Sequence, residues 1–294
     1  MFGQAIAWHS CLDRLDSSAM SDTLVVNEIF LSLQGESTFA GLPCIFIRLT
    51  ACNLRCSFCD TAYAFTEGRQ MAVAEVQAEV QRLAAPFGPR LGERGMRNAE
   101  RGMRNAECGT RNAECGVPNA ELAACRLPLI ELTGGEPLLQ PAARPLMTSL
   151  CDAGYTVLLE TSGALDIAPV DLRVRRIMDL KCPSSGEVER NRWENLSQLR
   201  GTDEIKFVLG TREDYDWAKR QIAEHRLAGV CPLLFSWATP LAAGQQDKTL
   251  KPVPPGQTPI TRPQLAELIL ADALPVRFQV QMHKVIWPPD QRGV

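Results

Sequence analysis

Three cysteines stand close together in the run Cys52-Asn-Leu-Arg-Cys56-Ser-Phe-Cys59, directly after the apolar stretch 43–50. Three thiolates from one short loop suit a soft metal or an iron–sulfur cluster. A structural zinc site is the alternative, but zinc takes four ligands, commonly as two Cys-x2-Cys pairs, and no second pair follows at the usual distance. The spacing therefore favours a cluster with one iron left open for another ligand.

A second motif, Thr133-Gly134-Gly135-Glu136-Pro137, ends the apolar run 128–133. Glycines at such a point allow the backbone to approach a ligand closely. By itself the motif is equally well explained as a turn before a helix, with proline at the first helical position. Together with the cysteine loop it indicates a cofactor site.

Alternating short apolar runs and amphipathic runs must position these motifs. Such alternation predicts βαβ units, an α/β fold and a mostly parallel sheet of six or seven strands, forming an open or partly closed barrel with its site at the carboxyl ends of the strands. Strands are predicted at 23–30, 43–50, 128–133, 155–160, 176–180, 203–209, 231–236 and 277–282, and helices at 71–85, 140–153, 213–226 and 262–271.

The chain is predicted to contain an irregular leader (1–22) and a single domain (23–294) interrupted by an insertion at 90–121. In the insertion the tripeptide Asn-Ala-Glu recurs at 98, 105, 112 and 119. A coiled coil would need apolar residues at two positions of each seven, and these are missing. We therefore expect a disordered, low-complexity loop in which Cys108 and Cys115 are copies of the repeat.

Composition excludes several classes of function. Among 294 residues there are 31 basic and 34 acidic side chains, so the basic excess of a nucleic-acid-binding protein is absent. No apolar run is long enough for a membrane span, and no secretory signal is evident, so a cytoplasmic protein is expected. Eleven cysteines, an odd number, then favour metal or redox chemistry over a disulfide framework.

With these motifs the chain resembles the radical S-adenosylmethionine superfamily and, within it, the 7-carboxy-7-deazaguanine synthases. The resemblance rests on NEIFLSLQGESTFAGLPCIFIRLTACNLRCSFCDTAYA, TGGEP, ETSG, DLKCP, DEIKFV and QVQMHKVIWPPDQRGV. It implies a partial, open (β/α) barrel in a homodimer. A [4Fe–4S] cluster would cleave S-adenosylmethionine to a 5′-deoxyadenosyl radical, with electrons from a donor such as flavodoxin. It also implies Mg2+-dependent ring contraction of 6-carboxy-5,6,7,8-tetrahydropterin to 7-carboxy-7-deazaguanine, with loss of ammonia, for queuosine or related deazapurines.

The resemblance also implies roles for individual residues, none of them a protein acid or base. Cys52, Cys56 and Cys59 would hold the cluster and Thr61 would ligate Mg2+. Substrate contacts are expected from Leu33, Gln34, Gly35, Arg48 and Thr133, and S-adenosylmethionine contacts from Phe58, Cys59, Asp60, Gly135, Ser162 and Lys181. Whether Ser236 and His283 reach a ligand is left open. Ser37 departs from the family, which usually has glycine there, so this turn either avoids a positive φ or tolerates one.

Two other functions stay open at this point. A radical activating enzyme for a glycyl-radical partner would share the cysteine spacing, but the QGE and QMHKVIW motifs and the lack of further cysteine sets argue against it. A zinc-binding interaction protein without catalysis is the second.

Overall fold

The structure is a computed structural model that describes residues 22–88, 125–288 and 290–294. The predicted leader, apart from Asp22, and the predicted insertion at 90–121 lie outside the described residues. The described residues form one nine-stranded sheet and five α-helices.

The strands are β1 (Thr23–Leu33), β2 (Pro43–Leu49), β3 (Arg69–Ala72), β4 (Leu129–Gly134), β5 (Val157–Thr161), β6 (Arg175–Asp179), β7 (Glu204–Leu209), β8 (Leu233–Trp237) and β9 (Arg277–Gln279). The helices are α1 (Val73–Ala84), α2 (Ala143–Asp152), α3 (Arg212–Glu224), α4 (Arg262–Ala271) and α5 (His283–Ile286). The strand order is β3-β1-β2-β4-β5-β6-β7-β8-β9. Neighbouring strands in the part β2-β4-β5-β6-β7-β8-β9 pair in parallel. Strand β1 is antiparallel to both β2 and β3. The predicted α/β class with an open barrel is confirmed.

Each of the longer helices, α1 to α4, buries apolar side chains against one face of the sheet. In α1 the buried residues Val76 and Val80 are one turn apart. The first turn of α3 is fixed by a capping box, in which the Thr211 side chain accepts from the backbone N–H of Asp214. The four longer helices, α1 to α4, therefore form a layer against the outer face of the sheet.

Alternation along the strands gives the inner face two levels. Near the amino ends of the parallel strands it is apolar, with Cys44, Leu129, Leu158, Ile177 and Leu234 in one cluster. Two residues further along these strands the same face is largely polar, because side chains of a strand alternate between faces. The residues at or beyond this level include Arg48, Glu131, Thr133, Glu160, Asp179, Lys206 and Ser236. The apolar level closes the bottom of the barrel and the polar level surrounds a cavity above it.

Two parts of the sequence prediction were wrong. The predicted helix at 71–85 begins only at Val73, because Arg69–Ala72 pairs with β1 as an edge strand. The predicted strand at 277–282 ends at Gln279, because the backbone N–H of Met282 donates to the carbonyl of Gly35 and the chain turns into α5. Edge strands and short helices such as these are fixed by tertiary contacts rather than by local pattern.

Candidate active site

A cavity of about 250 Å3 opens at the carboxyl ends of the parallel strands. It brings together every site residue predicted from the sequence, although their individual roles stay predictions. These residues are Leu33, Gln34, Gly35, Arg48, Cys52, Cys56, Phe58, Cys59, Asp60, Thr61, Thr133, Gly135, Ser162 and Lys181. Of the two residues left open, His283 lines the cavity, whereas the Ser236 hydroxyl donates to Glu36 at 2.6 Å.

The three cysteines of the loop after β2 are free thiols that face this cavity. Burial raises the pKa of all three, that of Cys56 to about 12, so each thiol holds its proton until a metal displaces it. Within the described ranges, no three His, Cys, Asp or Glu side chains are arranged to hold a single metal ion. Three thiols that converge on one cavity instead fit the corners of a larger iron–sulfur cluster.

The two glycines at the end of β4, the last residue of the strand and the one after it, allow the cysteine loop to lie against that strand. Gly134 has a φ of 131°, and a Cβ on it would stand 2.2 Å from the carbonyl oxygen of Leu49. A Cβ on Gly135 would stand 1.9 Å from the carbonyl oxygen of Ala51. The backbone N–H of Glu136 donates to that same oxygen at 2.8 Å, which locks the two segments together.

Glu136 joins the ends of β4 and β5. Its fully buried carboxylate accepts from the Thr161 hydroxyl, from the Ser162 hydroxyl at 2.6 Å and from the Ser162 backbone N–H at 2.8 Å. Three donors from one turn compensate the loss of water around this charge. Ser162 is therefore held in the cavity wall by a residue of the TGGEP motif.

Lys181 follows β6 and pairs with Asp179 at 2.7 Å. Burial lowers the pKa of Lys181, but the Asp179 carboxylate outweighs burial and raises it above its ordinary value, so the side chain is an ammonium. The other oxygen of Asp179, Oδ1, is buried and has no hydrogen-bond partner among the residues that the structure describes. A buried acceptor in a cavity wall without a partner indicates a place for a ligand donor.

The turn after β1 forms another wall. The Gln34 side chain donates to Glu131 at 2.9 Å and accepts from the backbone N–H of Glu36 at 2.7 Å. Because its amide is engaged in these bonds, the turn presents backbone rather than the Gln34 side chain to a ligand. Ser37 has a φ of 45° and thus tolerates the positive φ, with its hydroxyl accepting from the N–H of Phe39 at 3.0 Å.

Arg48 is oriented by Glu28. Its Nε donates to the Glu28 carboxylate at 2.7 Å, and Tyr63 donates to the same oxygen at 3.1 Å. Within the described residues, the two terminal nitrogens of the guanidinium have no protein acceptor. They are the paired donors that a ligand carboxylate prefers.

A network of polar groups crosses the cavity from β4 to β7. The Thr133 hydroxyl donates to Glu160 at 2.9 Å, and Glu160 pairs with Lys206. Lys206 also lies 3.8 Å from the carboxylate of Glu36. No site role was predicted from the sequence for Glu160 or Lys206.

One side of the cavity is covered by residues 281–288 and 290–294, here called the covering segment. The Asp60 carboxylate next to Cys59 pairs with Lys284 at 2.5 Å and accepts from Gln281 at 3.2 Å. Arg292 pairs with Glu67 and lies over the Tyr63 ring at 3.7 Å from its centroid. The segment therefore contacts the residues that follow the cysteine loop.

Comparison with known proteins places these features in a family. A 7-carboxy-7-deazaguanine synthase from Koribacter versatilis is 41% identical over 272 residues, which are 92% of this chain and 99% of that protein. One from Chlorobaculum tepidum is 37% identical over 92% of this chain and 97% of its own length. The chain belongs to the 7-carboxy-7-deazaguanine synthase family. A comparison with models of known protein families gives no match.

The fold agrees with this family. The crystal structure of QueE from Escherichia coli superimposes with a TM-score of 0.54 at 20% identity, over 89% of this chain and 95% of that chain. The resemblance drawn from the sequence motifs is confirmed, and the two alternatives, an activating enzyme and a zinc-binding interaction protein, are wrong. As a member of the family the chain is a radical S-adenosylmethionine lyase, whose cofactors are a [4Fe–4S] cluster and S-adenosylmethionine.

Sequence reasoning missed several residues that shape the site of this family member. They are Glu28, Glu131, Glu160, Asp179, Lys206, Lys284 and Arg292, and they orient predicted residues or line the cavity. Period-two alternation along the predicted strands could have placed Glu131, Glu160 and Lys206 on the inner face. Nothing local could have indicated the pairs made by the covering segment.

The structure describes no helix that is both long and apolar enough to cross a bilayer.

Replacing Gly135 with alanine should displace the cysteine loop. Its Cβ would overlap the backbone of Ala51, so we expect a loss of about 1–3 kcal/mol in the free energy of unfolding, as for overpacked cores. Iron bound per chain after anaerobic reconstitution should fall as well. Gly201→Ala is the matched control, because no atom lies within 4 Å of its added Cβ. Equal iron content and stability in the two variants would contradict this account.

Proposed function

We propose that the protein converts 6-carboxy-5,6,7,8-tetrahydropterin to 7-carboxy-7-deazaguanine, with loss of ammonia, in queuosine or related deazapurine biosynthesis. The observation that carries the proposal is one cavity in which the cysteine loop faces both Arg48 and the turn at Gly35. When bound, the cluster and S-adenosylmethionine supply a radical that abstracts hydrogen from the substrate. The protein residues bind and orient the reactants and exclude water.

The substrate carboxylate is proposed to bind between Arg48 and Mg2+. Glu28 accepts from Nε of Arg48, and no other described residue accepts from this guanidinium, so its two terminal nitrogens can donate two parallel hydrogen bonds to a carboxylate. The Thr61 hydroxyl lies 3.7 Å from Cys59 Sγ and makes no capping hydrogen bond to the short helix that follows it. It would thus be available to supply one oxygen ligand to Mg2+, a cation that prefers oxygen donors such as hydroxyls, carboxylates and water.

The heterocycle is proposed to bind along the polar network. A pterin has both donors and acceptors on its edges, and the walls offer backbone of Gln34 and Gly35, the Thr133 hydroxyl and the Glu160 carboxylate. Lys206 fixes the Glu160 carboxylate by pairing with it. Binding at preoriented groups lowers the entropic cost of holding the ring beside the radical source.

On the cluster side, Cys52, Cys56 and Cys59 are the proposed iron ligands. S-adenosylmethionine is proposed to lie against Phe58, Asp60, Gly135, Ser162 and Lys181 at the end of the cavity beside the cysteines. Asp179 Oδ1 supplies an unused acceptor there. The covering segment shields this end from water, which protects a reactive radical from side reactions.

We also propose a cytoplasmic homodimer reduced by a one-electron donor such as flavodoxin. Among the described residues β9 is an edge strand, and the side chains of Phe278, Val285 and Ile286 near it are exposed, which supports an interface between two copies at that edge. Sedimentation analysis should find a dimer that Val285→Glu dissociates, while Leu172→Glu, at another exposed apolar residue, leaves it intact. A monomer in the unaltered protein would exclude the dimer.

The reaction is tested by anaerobic incubation with S-adenosylmethionine, a reductant, Mg2+ and the carboxytetrahydropterin, followed by mass spectrometry. We expect 7-carboxy-7-deazaguanine and ammonia from the unaltered protein. Cys52→Ala, Cys56→Ala and Cys59→Ala should each abolish product and S-adenosylmethionine cleavage, because two thiolates do not hold the cluster. Cys151→Ala, which alters a half-buried thiol elsewhere, is the control. Cleavage at the normal rate in any loop variant would refute the cluster assignment.

Arg48 and Thr61 should separate substrate binding from radical generation. Arg48→Lys keeps the charge but loses the two-pronged donor, so KM should rise roughly tenfold, the scale of about 1.4 kcal/mol for a charge-assisted hydrogen bond. Thr61→Ala should weaken the stimulation by Mg2+, with iron content unchanged and Thr61→Ser restoring much of it. Both variants should keep their affinity for S-adenosylmethionine. Loss of that affinity in Thr61→Ala, with the Mg2+ response retained, would show that the metal is misplaced.

A further inference from the structure

Three glutamates surround one lysine in the cavity wall. Glu36 follows β1, Glu131 lies on β4, Glu160 on β5 and Lys206 on β7. Lys206 pairs with Glu160 and lies 3.8 Å from Glu36. Throughout the described ranges, Glu131 forms no ion pair with a cation. One ammonium therefore stands among three carboxyl groups, and Glu131 is the one that it does not pair with.

Glu131 is also the most deeply placed of the three. It is 1% exposed and stands directly above the apolar level that contains Leu129 on its own strand. Its contact with the amide of Gln34 at 2.9 Å joins β4 to the turn that faces the substrate. A buried carboxylate with no cation has a large desolvation cost, which a proton removes.

The charged and titratable groups around Glu131 do not supply the missing cation. Glu36 and Glu160 face it from the turn after β1 and from β5, and the Cys44 thiol faces it from β2. Lys206 on β7 is the one cation in this set from the described chain, and it is already shared between Glu160 and Glu36. Ionised Glu131 would add a third negative charge to this group.

We propose that Glu131 is a positioning residue that works as a neutral carboxylic acid, accepting from Gln34 while it leaves Lys206 to Glu160 and Glu36. The effect on substrate binding rests on the proposed function. In this arrangement the proton keeps the Glu160 carboxylate oriented and the turn at Gln34 in place. Loss of this proton from Glu131 places a negative charge in the wall of a site that must accept an anionic substrate.

The protonation behaviour of the pair agrees with this assignment. Burial raises the pKa of Glu131 to about 8, the Glu160 charge adds to the rise, and the Gln34 amide and Lys206 oppose it. For Glu160, burial acts in the same direction, but Lys206 outweighs it and the pKa falls below its ordinary value. Two neighbouring carboxyl groups are thus held in opposite protonation states.

The first test is the pH dependence of KM for the carboxytetrahydropterin. Above about pH 8 the unaltered enzyme should show a rise in KM of roughly tenfold, the effect of one unit charge acting over about 12 Å at an effective dielectric constant near 20. Glu131→Gln is nearly isosteric and permanently neutral, so it should lack this rise. Glu131→Leu cannot accept from Gln34, so its KM should be raised at every pH. Glu79→Gln, on an exposed helix surface, is the control and should follow the unaltered enzyme.

The second test needs neither substrate nor cofactor. In infrared difference spectra at neutral pH, the unaltered protein minus Glu131→Gln should show the carbonyl stretch of a protonated carboxylic acid. The pH dependence of the free energy of unfolding is an independent test of the same proton. The native state binds a proton that the unfolded state has released, so the free energy of unfolding contributed by Glu131 should decrease as pH rises from about 4.5 to about 8, and Glu131→Gln should lack this slope.

These outcomes separate the inference from the proposed function. If no deazaguanine forms, the proposed function fails, but the infrared band and the slope of stability still decide the protonation of Glu131. An alkaline rise in KM that persists in Glu131→Gln, or the absence of a protonated-acid band, would overturn the positioning role. If Glu131→Leu does not fold, the comparison with Glu131→Gln is sufficient by itself.

Discussion

The site depends on the contact between two backbone segments that only glycine permits. Gly134 and Gly135 leave no room for a Cβ against Leu49 and Ala51, so the cysteine loop begins in direct contact with the end of β4. The contact brings the three thiols beside the carboxyl ends of β5 and β6, where Ser162 and Lys181 stand. Glu136, whose carboxylate accepts from the Ser162 backbone N–H and hydroxyl, ties the same junction to the end of β5. A displaced junction would move the thiols relative to every other wall of the cavity.

Above the apolar level, the inner face of the barrel carries several buried charged side chains. Charged side chains that leave water must find partners, and here the partners come from different strands or turns. Glu28 orients Arg48, Asp179 pairs with Lys181, and Lys206 lies between acids of two elements. Because each ionic group is held by a neighbour, the polar wall has one geometry before any ligand arrives. Such preorganisation is what allows binding energy to orient reactants instead of ordering the protein.

The sequence could predict what is local. The cysteine spacing and the TGGEP motif are short, and β-branched runs between amphipathic helices indicated eight of the strands, since hydrophobic period reports burial on one face. Edge strand β3 was not predicted because Met71 and Ala72 continue the apolar pattern of the helix that follows them in the sequence. Gln34 was expected to contact the substrate, yet its side-chain amide donates to Glu131, a residue 97 positions away. Pairings of this kind depend on strand order and register, which a single pattern does not encode.

The covering segment has a consequence for the order in which the protein becomes complete. Arg292 and Glu67 are 225 positions apart, and Gln281 and Asp60 are 221 apart, so these contacts close some of the largest loops in the chain. Forming a contact between residues far apart in sequence costs the entropy of closing the loop between them before the contact stabilises the fold, so such contacts slow folding. During synthesis the cysteine loop emerges long before its cover. The cysteine loop is therefore made before the segment that covers it, and this side of the site is enclosed only after the covering segment has been synthesised and has folded back onto Asp60 and Glu67.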